Sequence, residues 1–264
     1  MKVSANGASI HYAVDGHGPW LTLAHPLGAD LTVWDDIVPD LAAHFRVLRY
    51  DSRGHGQSDV PRGPYTVEQL AADATALLSS LEITTTHFVG ISMGGAVAQQ
   101  VALDAPERIA SLALIDTTAG YDEADAKLFL ERAVQAREKG MKALADGTLG
   151  RWLGEDFRKR HPAQAERIRA LVAGAHPEGF AASCEALATF DVRTRLPEIE
   201  APTLVLVGEN DPSTPPAVAQ RIASGIPNAR LTVIPDAAHL SIVEQKQLVT
   251  NALATFLQGH VSNV

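Results

Sequence analysis

The sequence predicts an α/β fold: a mostly parallel central sheet with helices on both faces, interrupted once by a helical insertion. Three observations carry that prediction. Short runs rich in apolar and β-branched residues recur along the chain, helical patterns separate them, and one long interval holds helical patterns but no strand. Strands alternating with helices favour parallel pairing, because a right-handed crossover through a helix returns the chain in the direction it left.

The elements follow in order. Residues 9–14, ahead of Gly16 and Gly18, have the pattern of an edge hairpin strand. Residues 21–24, 46–50, 87–90, 112–115, 203–207 and 231–234 are apolar runs of strand length, as buried strands require. Val67, Leu70, Ala71, Ala74, Leu77, Leu78 and Leu81 recur at three- and four-residue steps and so share one helix face. Residues 96–103 form a second, more apolar helix. Between Ile115 and Thr203 the patterns are helical only, at 124–139, 163–173 and 179–190. A crossover helix needs about a dozen residues. The surplus is therefore an insertion, and the expected organisation is a core of residues 1–120 and 191–264 with a helical cap at 121–190. Because it follows a strand's C-terminal end, the cap should lie over the edge where α/β sheets bind ligands. Residues 260–264 are expected to fray.

Composition excludes several function classes. With 264 residues, 46% of them hydrophobic, the chain can bury a large core. Its net charge is −9, and its Lys and Arg residues are scattered, so it carries no electrostatic footprint for nucleic acid or an anionic membrane. The one cysteine, Cys184, permits no intramolecular disulfide, and neither paired thiols nor a histidine cluster suggests a metal site. The first residues lack the apolar run of a signal peptide, and no stretch approaches the roughly 20 apolar residues of a membrane helix. A cytoplasmic protein acting on a small molecule, with no cofactor, is the expectation.

The chemistry centres on Gly90-Ile91-Ser92-Met93-Gly94-Gly95, directly after one apolar run and before an apolar helix. A serine on a sharp strand-to-helix turn is a nucleophile elbow, and its neighbours must be small for strand and helix to approach. The bare G-x-S-x-G pattern arises by chance in roughly one chain in ten of this length, so context must carry the assignment. A serine hydroxyl is a weak nucleophile, so it needs a base and a group to orient that base. Asp211 follows the 203–207 strand and His239 follows the 231–234 strand, which sends both to the sheet edge where Ser92 emerges. Ser92, Asp211 and His239 are thus the candidate nucleophile, acid and base. Asp211 equally suits a turn before Pro212, and Asp116, after the 112–115 strand, competes for the acid. The N–H of Met93, at the helix start, is one candidate oxyanion donor, and that of Leu27 in His25-Pro26-Leu27-Gly28 is the other. Pro26 has no N–H to offer. His25 is expected to order its loop, and the turn Asp51–Ser58 to be structural.

These residues, with Arg53-Gly54-His55-Gly56, resemble the α/β-hydrolase superfamily. Within it the chain looks most like the 3-oxoadipate enol-lactonases, on Leu27-Gly28 with Trp34-Asp35, on residues 44–51, on Gly63-Pro64-Tyr65, on Arg151-Trp152 and on His239-Leu240-Ser241. The resemblance spans nearly the whole chain. It implies that Arg151 and Trp152 in the cap hold the substrate, the guanidinium on its carboxylate and the indole on its carbon chain. Arg151 as solvated surface and Trp152 as an interior anchor is the competing description. The chain departs from that family at His25-Pro26, where Asn-Ser is usual. The implied activity is lactone hydrolysis through an acyl-serine, with a broad carboxylesterase, a carbon–carbon bond hydrolase and a non-catalytic ligand-binding protein as alternatives. Dehalogenase and epoxide hydrolase chemistry needs a carboxylate where Ser92 stands.

Overall fold

A computed structural model describes residues 1–261. Eight strands form one sheet in the order β1-β2-β4-β3-β5-β6-β7-β8. They are β1 (Lys2–Ala5), β2 (Ala8–Asp15), β3 (Trp20–Ala24), β4 (Arg46–Tyr50), β5 (Thr86–Ile91), β6 (Ile109–Ile115), β7 (Thr203–Gly208) and β8 (Ala229–Ile234). β1 with β2 and β2 with β4 are antiparallel, and every other pair is parallel. The helices are α1 (Val38–Ala42), α2 (Val67–Ser80), α3 (Met93–Asp104), α4 (Glu123–Lys139), α5 (Lys142–Trp152), α6 (Glu155–Arg160), α7 (Pro162–Gly174), α8 (Pro177–Ala188), α9 (Pro216–Gly225), α10 (Ser241–Glu244) and α11 (Lys246–Gln258).

Burial explains the strand patterns. Every residue of β5, β6 and β7 is buried, because helices cover both faces of the sheet centre. β8 closes one side of the sheet, and three of its six residues are exposed, Val233 at 42%. One expectation needs correcting at the other side. The strand at 9–14 is not the edge, because β1 pairs outside it. Asn6 and Gly7, at φ 48° and 76°, make the two-residue turn between them. Positive φ at both positions suits the twist of a hairpin, and Asn-Gly is the pair that adopts it most readily.

Helix starts follow local chemistry. Thr66 accepts from the N–H of Gln69 at α2, and Asp122 accepts from that of Asp125 at α4. Between β6 and β7 the chain forms five helices, α4 to α8, and no strand. α8 lies hard against the core: a Cβ on Gly179 would come within 1.8 Å of the Gly54 carbonyl oxygen, so only glycine permits this approach. At the C-terminal end, His260 still bonds back to Phe256 and Leu257, and the remainder of the expected fraying segment, 262–264, lies outside the described residues.

Candidate active site

Ser92 sits where β5 ends and α3 begins, with φ 54° and ψ −116°. That backbone is strained for a residue with a Cβ. Its neighbours leave no room for anything but glycine. A Cβ on Gly90 would lie 2.1 Å from the carbonyl oxygen of Gly94, and one on Gly94 would lie 2.1 Å from that of Ala24. The turn therefore holds the serine side chain out at the end of the sheet, and Ser92 lines a cavity of about 270 Å³ beneath the inserted helices.

Ser92, His239 and Asp211, which are far apart in the chain, meet in one hydrogen-bonded row. Ser92 Oγ lies 2.9 Å from His239 Nε2, and His239 Nδ1 lies 2.8 Å from Asp211 Oδ2. A carboxylate can only accept, so Nδ1 carries the proton and Nε2 is free to accept from the serine hydroxyl. Asp211 is held in turn by the N–H groups of Ser213 and Thr214 at 2.7 and 3.0 Å and by Thr214 Oγ at 2.7 Å. The Asp211 carboxyl titrates below the usual range. Burial acts to raise it, but the facing His239 and the hydrogen bonds of His239 and Thr214 outweigh that. His239 shows the mirror image: burial acts to lower its pKa, and the charge of Asp211 carries it above the ordinary value.

Asp116 does not reach the histidine. Its carboxylate accepts from the N–H of Gly208 at 2.8 Å and from Ser241 through its N–H at 3.1 Å and its hydroxyl at 2.7 Å. It thereby ties the ends of β6, β7 and α10, and burial pushes its pKa up to about 7.

The loop holding Leu27 is built from two buried histidines. The N–H of Ser52 donates to His25 Nε2 at 2.9 Å, and that of Gly28 donates to His55 Nε2 at 3.1 Å. Each ring must then carry its proton on Nδ1, and these point to the carbonyls of Pro26 and Arg53. Burial holds His55 down to about 3, so it stays a neutral acceptor. Leu27 lines the cavity, and its N–H donates to no protein group among the described residues. The N–H of Met93 opens α3, where no intrahelical acceptor exists.

Arg151 and Trp152 both line the cavity from the end of α5. Arg151 bonds only to Thr148 Oγ, at 3.1 Å, and burial followed by the nearby charge of Arg132 lowers its pKa to about 10. The Trp152 side chain is buried, and the main chain there also ties α5 to the core, its carbonyl accepting from the N–H of Leu240 beside His239. Sequence reasoning missed Arg132, Tyr121 and Thr214 in this wall. A signal for Arg132 existed: Leu128, Phe129 and Arg132 stand at helical spacing on one face of α4. Among the described residues no group of His, Cys, Asp and Glu is arranged to hold a metal ion.

This fold, with a serine on a strained strand-to-helix turn and a histidine and carboxylate behind it, defines a class. The chain belongs to the α/β-hydrolase fold family, whose model matches residues 19–246. Within the family it stands with the ester-hydrolysing enzymes, as its relatives indicate. It is 36% identical over 258 residues to 3-oxoadipate enol-lactonase 2 of Acinetobacter baylyi, covering 97% of this chain and 96% of that protein. The crystal structure of the enol-lactonase from Burkholderia xenovorans LB400 superposes with a TM-score of 0.95 at 39% identity, covering 98% of this chain and 100% of that one. A thermophilic esterase from Thermogutta terrifontis with malate bound also gives 0.95, at 33% identity, covering 98% and 99%. No helix among the described residues is long and apolar enough to cross a membrane.

Proposed function

We propose that this enzyme opens a carboxylate-bearing enol-lactone of the 3-oxoadipate type through an acyl-serine intermediate. The observation that carries the reading is a pair of guanidinium groups, Arg132 and Arg151, in the wall of the Ser92 cavity with no carboxylate within ion-pair distance among the described residues. Two cations without counter-charge in a half-buried wall are costly unless an anion joins them. Asp125 is the one carboxylate lining the rim besides them, so the wall keeps a positive balance. The named activity of the Acinetobacter relative and the malate held by the Thermogutta esterase support a small carboxylate substrate.

In this reading Ser92 Oγ attacks the lactone carbonyl while His239 Nε2 takes its proton and Asp211 stabilises the imidazolium. The oxyanion rests on the N–H groups of Leu27 and Met93, each contributing about 3–4 kcal/mol in comparable sites. Collapse breaks the ring C–O bond. The enolate that leaves takes the proton held by His239 and becomes a ketone, which makes expulsion easy. Water then attacks the acyl-serine and gives a proton to the now neutral His239, which passes it to Ser92 Oγ as the acyl C–O bond breaks and the second carboxylate is released. The helices at 121–190 act as the cap, with Trp152 packed on the substrate's carbon chain.

Steady-state hydrolysis of 3-oxoadipate enol-lactone beside p-nitrophenyl acetate tests the substrate. The lactone should be preferred, and Arg132→Ala and Arg151→Ala should each lower its kcat/KM roughly tenfold to a hundredfold, the worth of a charged hydrogen bond, while sparing the neutral ester. Equal losses on both substrates, or turnover of the ester alone, would leave a broad carboxylesterase instead.

A further inference from the structure

The cavity over Ser92 has a neighbour. A second cavity of about 250 Å³ lies behind the loop that carries Asp211, and Tyr121, Asp125, Ser213 and Thr214 line both. Tyr121 is the largest side chain of that shared wall. Its ring is braced edge-on by Phe129, with centroids 4.7 Å apart and planes at 71°, and Phe129 faces the first cavity. Among the described residues the Tyr121 hydroxyl finds no hydrogen-bond partner, so nothing polar pins the ring where it stands.

Ala119, Leu196, Val218 and Ile222 give the second cavity an apolar patch that the first cavity's cationic wall lacks, beside Arg193 and Arg221. Its charges do not favour an anion. Arg193 is already paired with Asp191, at 2.5 Å, and Arg221 is exposed at the rim. Asp122 and Asp125 stand in the wall beside Tyr121 and would repel a carboxylate passing it. The wall thus changes from one with two guanidinium groups, Arg132 and Arg151, unpaired among the described residues, to one beyond Tyr121 that has an apolar patch and no net attraction for a carboxylate.

We propose that the second cavity is a subsite for the uncharged aliphatic arm of an ester longer than the first cavity holds, with Tyr121 as the partition that an entering arm must pass. The proposal rests on Ser92 being the nucleophile. Each methylene buried beyond Tyr121 should then raise kcat/KM about fourfold, the worth of one buried CH₂.

The test uses two ester series on the intact enzyme: p-nitrophenyl esters from acetate to octanoate, and alkyl acetates from ethyl to octyl. Each is expressed relative to its shortest member, which ends in the first cavity. Val218→Trp, a substitution at a partly buried helix position, fills the second cavity and should lower the octanoate-to-acetate or octyl-to-ethyl ratio at least tenfold. Tyr121→Ala opens the partition and should raise the same ratio, so the proposal stays testable even if the tryptophan variant does not fold. A response in either series supports the subsite and tells on which side of the scissile bond the arm lies. Ratios that neither variant moves, with short-ester turnover still abolished by Ser92→Ala, would overturn the subsite and leave the hydrolase reading standing. Short-ester turnover that survives Ser92→Ala would sink both.

Discussion

At the scale of single residues, the site depends on two ionisable groups that correct each other. His239 is buried, and burial alone would push its pKa down and leave a weak base. Asp211, held by Ser213 and Thr214, reverses that shift. Since the base must be neutral to accept the Ser92 proton, the acidic limb of kcat/KM should fall above the ordinary histidine value of about 6.5. In Asp211→Asn the supporting charge is gone, so the limb should move to lower pH. The rate should also fall about 10⁴-fold, because an amide no longer holds the imidazole in the right tautomer. A pH–rate profile of both proteins checks this, and an unmoved limb would mean that Asp211 does not set the histidine's titration. Individual residues were also the least legible in the sequence. Ser92, Asp211 and His239 could be named because each follows a strand and lands at the same sheet edge. Arg132 carried only the spacing it shares with Leu128 and Phe129, and an amphipathic helix of charged residues looks the same whether its arginine faces solvent or a cavity. The Thr214 bond to Asp211 was hidden for a different reason: it depends on how the loop folds back on itself, which periodicity does not encode.

Elements were legible where burial was uniform and obscure where it was not. β5, β6 and β7 are covered on both faces, so their sequences are continuous apolar runs that declare themselves. β1 escaped notice because four residues at a sheet edge, two of them exposed, leave almost no pattern. α5 and α6 left no clear pattern for a similar reason, since α5 buries only Ala145, Thr148 and Trp152 of its eleven residues. How the elements are tied together was not legible at all. Asp116 joins the ends of β6, β7 and α10, and Glu244 joins the His239 loop to the inserted helices by accepting from Ala238 N–H and, at 2.8 Å, from Gly154 N–H. Asp116→Ala should destabilise the fold by about 3 kcal/mol at pH 5, the cost of leaving buried donors unpaired. The sign of its pH dependence follows from the raised pKa. A carboxyl raised from 3.8 to about 7 contributes stability that is fully present below the lower value and lost as pH rises through the higher one. The gap between wild type and variant in urea unfolding should therefore narrow between pH 5 and pH 8. A gap that widens over that interval would contradict the assignment.

For the whole molecule, the chain's acidity and its positive cavity point in opposite directions. The net charge of −9 makes the molecule as a whole repel anions, yet the cavity above Ser92 presents Arg132 and Arg151. That inversion of sign beside Ser92 is what a site for a small anion requires, and the sheet supplies the rest by bringing three strand ends to one edge. Fold class and sheet direction could be foreseen because alternation of strand and helix is a property of the entire chain. The substrate could not be foreseen from composition, because it depends on a few side chains contributed by different helices. Ser92 is proposed to carry the chemistry, and fluorophosphonate labelling followed by peptide mass spectrometry and activity assay tests it directly. A single adduct on Ser92 is expected, with lactone and ester hydrolysis both lost in proportion to labelling. An adduct elsewhere, or full activity in the labelled protein, would contradict it.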